Sequence, residues 1–192
     1  EGEYISGKKV NKWTWYEDGE DKGWEENYDK GVLNGKFNNL SPYAVTRGVG
    51  SFNNGVKSGD WEEYFSSKDG SLERSQTGSY QFGEKVGLWS LFAKNGRRIA
   101  EGTYKNGIKE GEWIEGPDID FGSRFFGKGS YTNDLKSGKW RYVAPRQNPI
   151  IEGTFTDGQP SGEWTVIYNK KTYKVRLSEL KRQVPKLNEF SF

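Results

Sequence analysis

Gly102-Thr103-Tyr104-Lys105-Asn106-Gly107-Ile108-Lys109-Glu110-Gly111-Glu112-Trp113 decides the fold, because the rest of the chain is a set of extended or degraded copies of it. Its skeleton is Gly-x-Tyr-x-x-Gly-x-x-x-Gly-x-Trp. Slid along the chain, it recurs with Trp13, Phe37, Trp61, Trp89, Trp113, Trp140 and Trp164 in the last slot. The spacings between these residues are 24, 24, 28, 24, 27 and 24, so the unit is 24 residues long with two lengthened connections. A fixed period of this size is the mark of a stacked array in which each unit packs on its neighbours.

The outer copies show what the slots tolerate. The first reads Gly2, Tyr4, Gly7, Asn11, Trp13, and Asn11 stands where later copies have Gly; both residue types accept positive φ. The second is the most eroded, with Glu26 in the first slot, then Tyr28, Gly31, Gly35 and Phe37. The third (Gly50, Phe52, Gly55, Gly59, Trp61) and fourth (Gly78, Tyr80, Gly83, Gly87, Trp89) are separated by the first insertion. The sixth (Gly129, Tyr131, Gly138, Trp140) carries Asp134 in the middle slot, and the seventh is Gly153, Phe155, Gly158, Gly162, Trp164.

Each unit reads as a β-hairpin. Asn54-Gly55, Asn106-Gly107 and Asp157-Gly158 are strong two-residue turn signals, flanked by short strands. A Gly and the ring two residues later lie on one side of a strand. The glycine leaves a gap in which a neighbouring ring settles. The fold class is therefore all-β: an elongated single-layer antiparallel array of seven β-hairpin repeats over residues 1–168, roughly 65–70 Å along the stack. Residues 169–192 form a basic C-terminal cap or tail. Its segment 178–184 reads as a short helix with Ser178 as N-cap, ended by Pro185. The tail holds seven cations against Glu179 and Glu189, so it carries +5 and the rest of the chain −3 within a total of +2.

Composition narrows the chemistry. Hydrophobic residues make up only 32%, which alone would suggest disorder, but 8 Trp, 11 Tyr and 11 Phe at fixed positions veto that reading. Cys, His and Met are absent, which removes disulfides, the common nucleophile–base pairs and most zinc sites. We expect no enzyme, no cofactor and no metal. The adjacent pairs Glu25/Glu26 and Glu62/Glu63 point to opposite faces of a strand and read as solvated. Asp118 and Asp120 share one side of an extended loop and suit a hard cation, although loop capping is the plainer reading. No apolar run approaches the roughly 20 residues that span a bilayer. The start at Glu1 without Met leads us to expect a removed signal peptide or a trimmed chain. Export to the periplasm or cell surface is placed ahead of a cytoplasmic location.

The skeleton, with Tyr, Phe or Leu three residues after Trp and Asn-Gly or Asp-Gly turns, resembles the MORN repeat, in the bacterial variant found in YwqK-type antitoxin-like proteins. The match covers residues 2 to 168. The resemblance implies an elongated array of successive hairpins, used for scaffolding and protein binding, with lipid headgroups as a further ligand. The antitoxin variant implies occlusion of a partner toxin. The exchanges at Asn11, Glu26 and Asp134, the two insertions and the basic tail depart from the pattern.

The repeat rings Tyr4, Trp13, Tyr28, Phe37, Phe52, Trp61, Tyr80, Trp89, Tyr104, Trp113, Tyr131, Trp140, Phe155 and Trp164 are expected in the core. Trp15, Trp24, Tyr43, Phe121, Phe125 and Phe126 lie outside the slots and are the candidates for a surface. Insertions in repeat arrays commonly map to a binding edge. We therefore expect a protein partner to contact Asp118, Asp120, Phe121, Arg124, Phe125 and Phe126 in the second insertion, and Lys181 and Arg182 in the tail. A self-packed insertion is the bland alternative. A neutralised toxin as partner and a surface glycan held by exposed rings are the other readings. A membrane surface is a lesser one, and nucleic acid is the weakest.

Overall fold

A computed structural model describes residues 1–17, 21–41, 46–66, 71–116, 125–144 and 149–176. All regular structure among them is β, in two units divided at Arg97/Arg98. The first unit contains β1 (Glu3–Ile5), β2 (Lys8–Glu17), β3 (Asp21–Asp29), β4 (Val32–Asn39), β5 (Gly48–Asn53), β6 (Val56–Ser66), β7 (Leu72–Gln81) and β8 (Glu84–Phe92). The second contains β9 (Arg98–Lys105), β10 (Ile108–Glu115), β11 (Phe126–Thr132), β12 (Leu135–Val143), β13 (Ile150–Thr156), β14 (Gln159–Tyr168) and β15 (Lys171–Arg176). Within each unit every strand pairs antiparallel with the strands next to it in sequence. The seven hairpins fall where the repeats place them.

Their turns are two residues long with both φ values positive, the geometry that matches strand twist. They are Ser6-Gly7, Lys30-Gly31, Asn54-Gly55, Phe82-Gly83, Asn106-Gly107, Asn133-Asp134 and Asp157-Gly158. Asp134 fills its Gly slot at φ 63, and Asn11 fills another at φ 58. Successive turns are linked: the N–H of Gly31, Gly55, Gly83, Asp134 and Gly158 donates to the carbonyl of Lys9, Leu33, Lys57, Lys109 and Lys136.

The returning strand of the hairpin is bulged. Between Glu110↔Thr103 and Trp113↔Gly102, β10 advances three residues while β9 advances one. Gly111, in the bulge, has φ 71. The extra residues bend the strand. The Trp113 indole then lies flat over Gly102, so close that a β-carbon there would collide with the ring. Gly2, Gly50, Gly78, Gly129 and Gly153 meet Trp13, Trp61, Trp89, Trp140 and Trp164 in the same way. The second copy, which lacks Gly in this slot, also lacks Trp. Glu26 pairs with Phe37, a ring that replaces the larger indole where a β-carbon is present.

The core of each unit is thus a file of rings. In the second unit Tyr104, Trp113, Tyr131, Trp140, Phe155 and Trp164 follow one another edge to face, with centroids 5.1 to 5.9 Å apart. Such contacts add about 0.5–1.5 kcal/mol each beyond area burial. Trp61, Trp89, Trp113, Trp140 and Trp164 are at most 1% exposed. Four of these indoles donate to the carbonyl after their glycine: Trp61 to Ser51, Trp89 to Ser79, Trp113 to Thr103 and Trp140 to Ser130. Tyr4 departs from the expected core. It meets Trp13 edge-on at 4.8 Å but is 59% exposed, because β1 has no strand on its outer side among the described residues.

After Tyr168, where the repeat pattern stops, the chain turns through Asn169-Lys170 and adds β15 beside β14. Val175 pairs with Trp164 and is buried, in the place that a Gly of a following copy would take. The first part of the expected cap is a strand. The expected helix at 178–184 lies outside the described residues.

Candidate functional site

The bulge gives the two faces of each unit different chemistry. On the ring face, a Lys stands four residues before Trp in five of the seven copies. Lys9, Lys57, Lys85, Lys109 and Lys136 fold back so that the ammonium sits 4.4 to 4.7 Å from the centroid of its own Trp. A cation over an indole face is attracted by the ring quadrupole, and its stem covers apolar surface. The signal for this series in the sequence is its fixed four-residue offset from Trp.

Carboxylates two residues after Trp61 and Trp113 anchor three of these ammonium groups, those of Lys57, Lys109 and Lys136, and Lys85 donates to the Gln76 amide oxygen at 2.6 Å. Glu63 accepts from Lys57 at 2.6 Å, Gln76 at 2.7 Å and Tyr80 at 2.7 Å. Burial pushes its carboxyl up, but the three donors outweigh that and hold it below the ordinary range. Glu115 takes the Tyr131 hydroxyl at 2.5 Å and Lys136 at 3.0 Å, with Lys109 at 3.8 Å. Burial lowers Lys109 and, with the Glu115 charge, raises Tyr131 and Tyr142. Glu26 accepts from Trp15 at 3.0 Å and Tyr28 at 2.8 Å. These half-buried groups are engaged with one another, so Glu26 and Glu63 are structural rather than merely solvated. Their neighbours Glu25 and Glu62 do face the other way, to Lys12 and Arg74.

The opposite face is open and charged. In the first unit a groove of about 920 Å³ is lined by Lys12, Glu25, Lys36, Asp60 and Glu62, with Ser51 and Thr77 between them. In the second unit a groove of about 550 Å³ is lined by Glu112, Lys128, Lys139, Arg141, Glu152 and Glu163. Cross-strand ion pairs run across it: Glu112–Lys128 at 3.0 Å, Arg141–Glu152 at 2.8 Å and Glu163–Lys174 at 3.0 Å. Their side chains are 41 to 73% exposed, so each pair adds little stability and remains available to a partner.

Asp118, Asp120, Phe121, Arg124, Lys181 and Arg182 lie outside the described residues, as does Tyr43. Phe125 is buried, and Phe126 opens β11 half-exposed. Trp15 and Trp24 stack on each other at 5.6 Å and are part-buried. Among the described residues no group of three or more Asp and Glu is placed to hold a metal ion.

This is a β-hairpin repeat protein whose rings form the core and whose charges form an open face. No protein-family model matches the chain, and no curated protein matches it.

Proposed function

We propose that the chain is a non-enzymatic protein-binding scaffold, a MORN-type array that presents an extended charged β surface to a partner protein. The observation that carries this reading is the division between the faces. The Trp rings are consumed in packing on glycines, whereas the other face of each unit is an open groove lined by charges of both signs, spanned in the second unit by solvent-exposed ion pairs. Small-molecule sites are concave and mostly apolar; interspersed charges of both signs suit a complementary protein surface, where they set orientation and on-rate. The half-buried carboxylates Glu63 and Glu115 are already held by Lys and Tyr, which counts against acid–base work. An antitoxin that occludes one dedicated toxin is the narrower form of the same proposal, carried by the family resemblance. Burial of the slot Trp rings leaves a glycan only the rings outside those slots, such as the half-exposed Phe126.

The test is affinity purification of the tagged chain from its native source at moderate salt, with bound proteins identified by mass spectrometry. One stoichiometric protein is expected, with retention falling as salt rises and on Lys128→Glu/Arg141→Glu. Recovery of polysaccharide or lipid with no protein sinks the scaffold reading.

A further inference from the structure

We propose that Phe82 is an anchor by which the chain engages its partner, its ring entering an apolar pocket on another protein. This rests on the protein-binding reading above and names a contact for it. Phe82 is the first residue of the β7/β8 turn, at φ 52, and it is 83% exposed. The same turn position is held by Ser6, Lys30, Asn54, Asn106, Asn133 and Asp157, and the short polar types among these tolerate the left-handed conformation. A bulky aromatic residue there is a genuine outlier. Nothing in the fold of the first unit recovers the strain, since the ring stands in solvent. Strain that the fold does not require points to function.

Phe82 does not stand alone. Gly83 beside it packs on Val56, and Gly55 packs on Val32. Val32 and Val56 are 46% and 44% exposed, so the turns of the first unit carry an apolar ridge that ends in the Phe82 ring. The charges on these turns are Lys8, Asp29, Lys30 and Glu84, two cations against two carboxylates, so they carry no net charge. An anionic membrane needs clustered cations. A protein pocket with a polar rim fits the ridge better, and a protruding aromatic is a usual binding hot spot.

The experiment compares Phe82→Asn and Phe82→Ala in the full chain, by thermal unfolding of the free protein and by affinity for the partner identified above. Asn relieves the left-handed strain, so its Tm is expected to rise by about 2–4 °C, while affinity falls on the order of thirtyfold. Ala is expected to weaken binding equally without that rise. A fall in Tm for Phe82→Asn would assign the ring to folding and overturn the anchor. Unchanged affinity overturns the anchor but leaves the scaffold standing. If the unmodified chain retains no protein, both fall. Binding to phosphatidylcholine–phosphatidylserine vesicles that is lost in Phe82→Asn overturns the protein pocket in favour of lipid.

Discussion

At the scale of single residues, each hairpin depends on an absent β-carbon. Adding one at Gly102 drives it into the Trp113 ring, which is wholly buried and has nowhere to move. Gly102→Ala is therefore expected to cost about 3 kcal/mol in urea unfolding, against less than about 0.5 kcal/mol for Thr103→Ala next to it on the exposed side. The Glu26/Phe37 pair makes the same argument in reverse. Phe37→Trp alone forces an indole onto the Glu26 stem and is expected to destabilise. Glu26→Gly alone removes the acceptor of Trp15 and Tyr28 and is expected to destabilise too. The double variant restores the pairing found in the other six copies, so a double-mutant cycle should show a favourable coupling of about 1–3 kcal/mol. A coupling near zero would mean that ring and glycine do not select each other.

At the scale of the element, the bulged strand and its neighbour hold the polar network over the rings. Glu63 has its carboxyl held below the ordinary value of 4.5. A carboxylate depressed in the folded state contributes stability that is present above its unfolded value and lost as pH falls through the folded one. The stability difference between the unmodified chain and Glu63→Gln is expected to be constant above about pH 5 and to shrink below about pH 4, measured as urea midpoints across that range. A difference that grows on acidification contradicts the assigned donors. The Lys series that caps these rings was visible in the sequence as a four-residue offset. What it does was not visible, because along a straight strand four residues separate α-carbons by about 13 Å. Only the bulge brings ammonium and indole together.

At the scale of the molecule, stability in a repeat array is a sum of local terms and nearest-neighbour interfaces. Within the second unit, Gly102→Ala is expected to reduce hydrogen-exchange protection most in β9 to β11 and least in β14 and β15. Uniform loss over all seven strands would indicate a single cooperative block instead. The proposed charged face and the Phe82 ridge belong to this scale as well, since each is assembled from several hairpins.

The sequence by itself determined the seven repeat hairpins, the position of their turns and the pairing of glycines with rings, but not the further turn at Asn169-Lys170. These follow from local chemistry: Asn-Gly and Asp-Gly turns accept positive φ, and a glycine two residues before an aromatic marks a gap on the same side. It also pointed to the insertion around Asp118 to Phe126, of which Phe125 is buried and Phe126 exposed. The tertiary structure decided the rest. That Glu26 and Glu63 join a ring-face network while Glu25 and Glu62 face the charged groove depends on cross-strand register. That Lys171–Arg176 continues the sheet depends on Val175 covering Trp164. Each of these is a contact between hairpins, set by register and bulge, which the identity of a residue and its position in the chain do not encode alone.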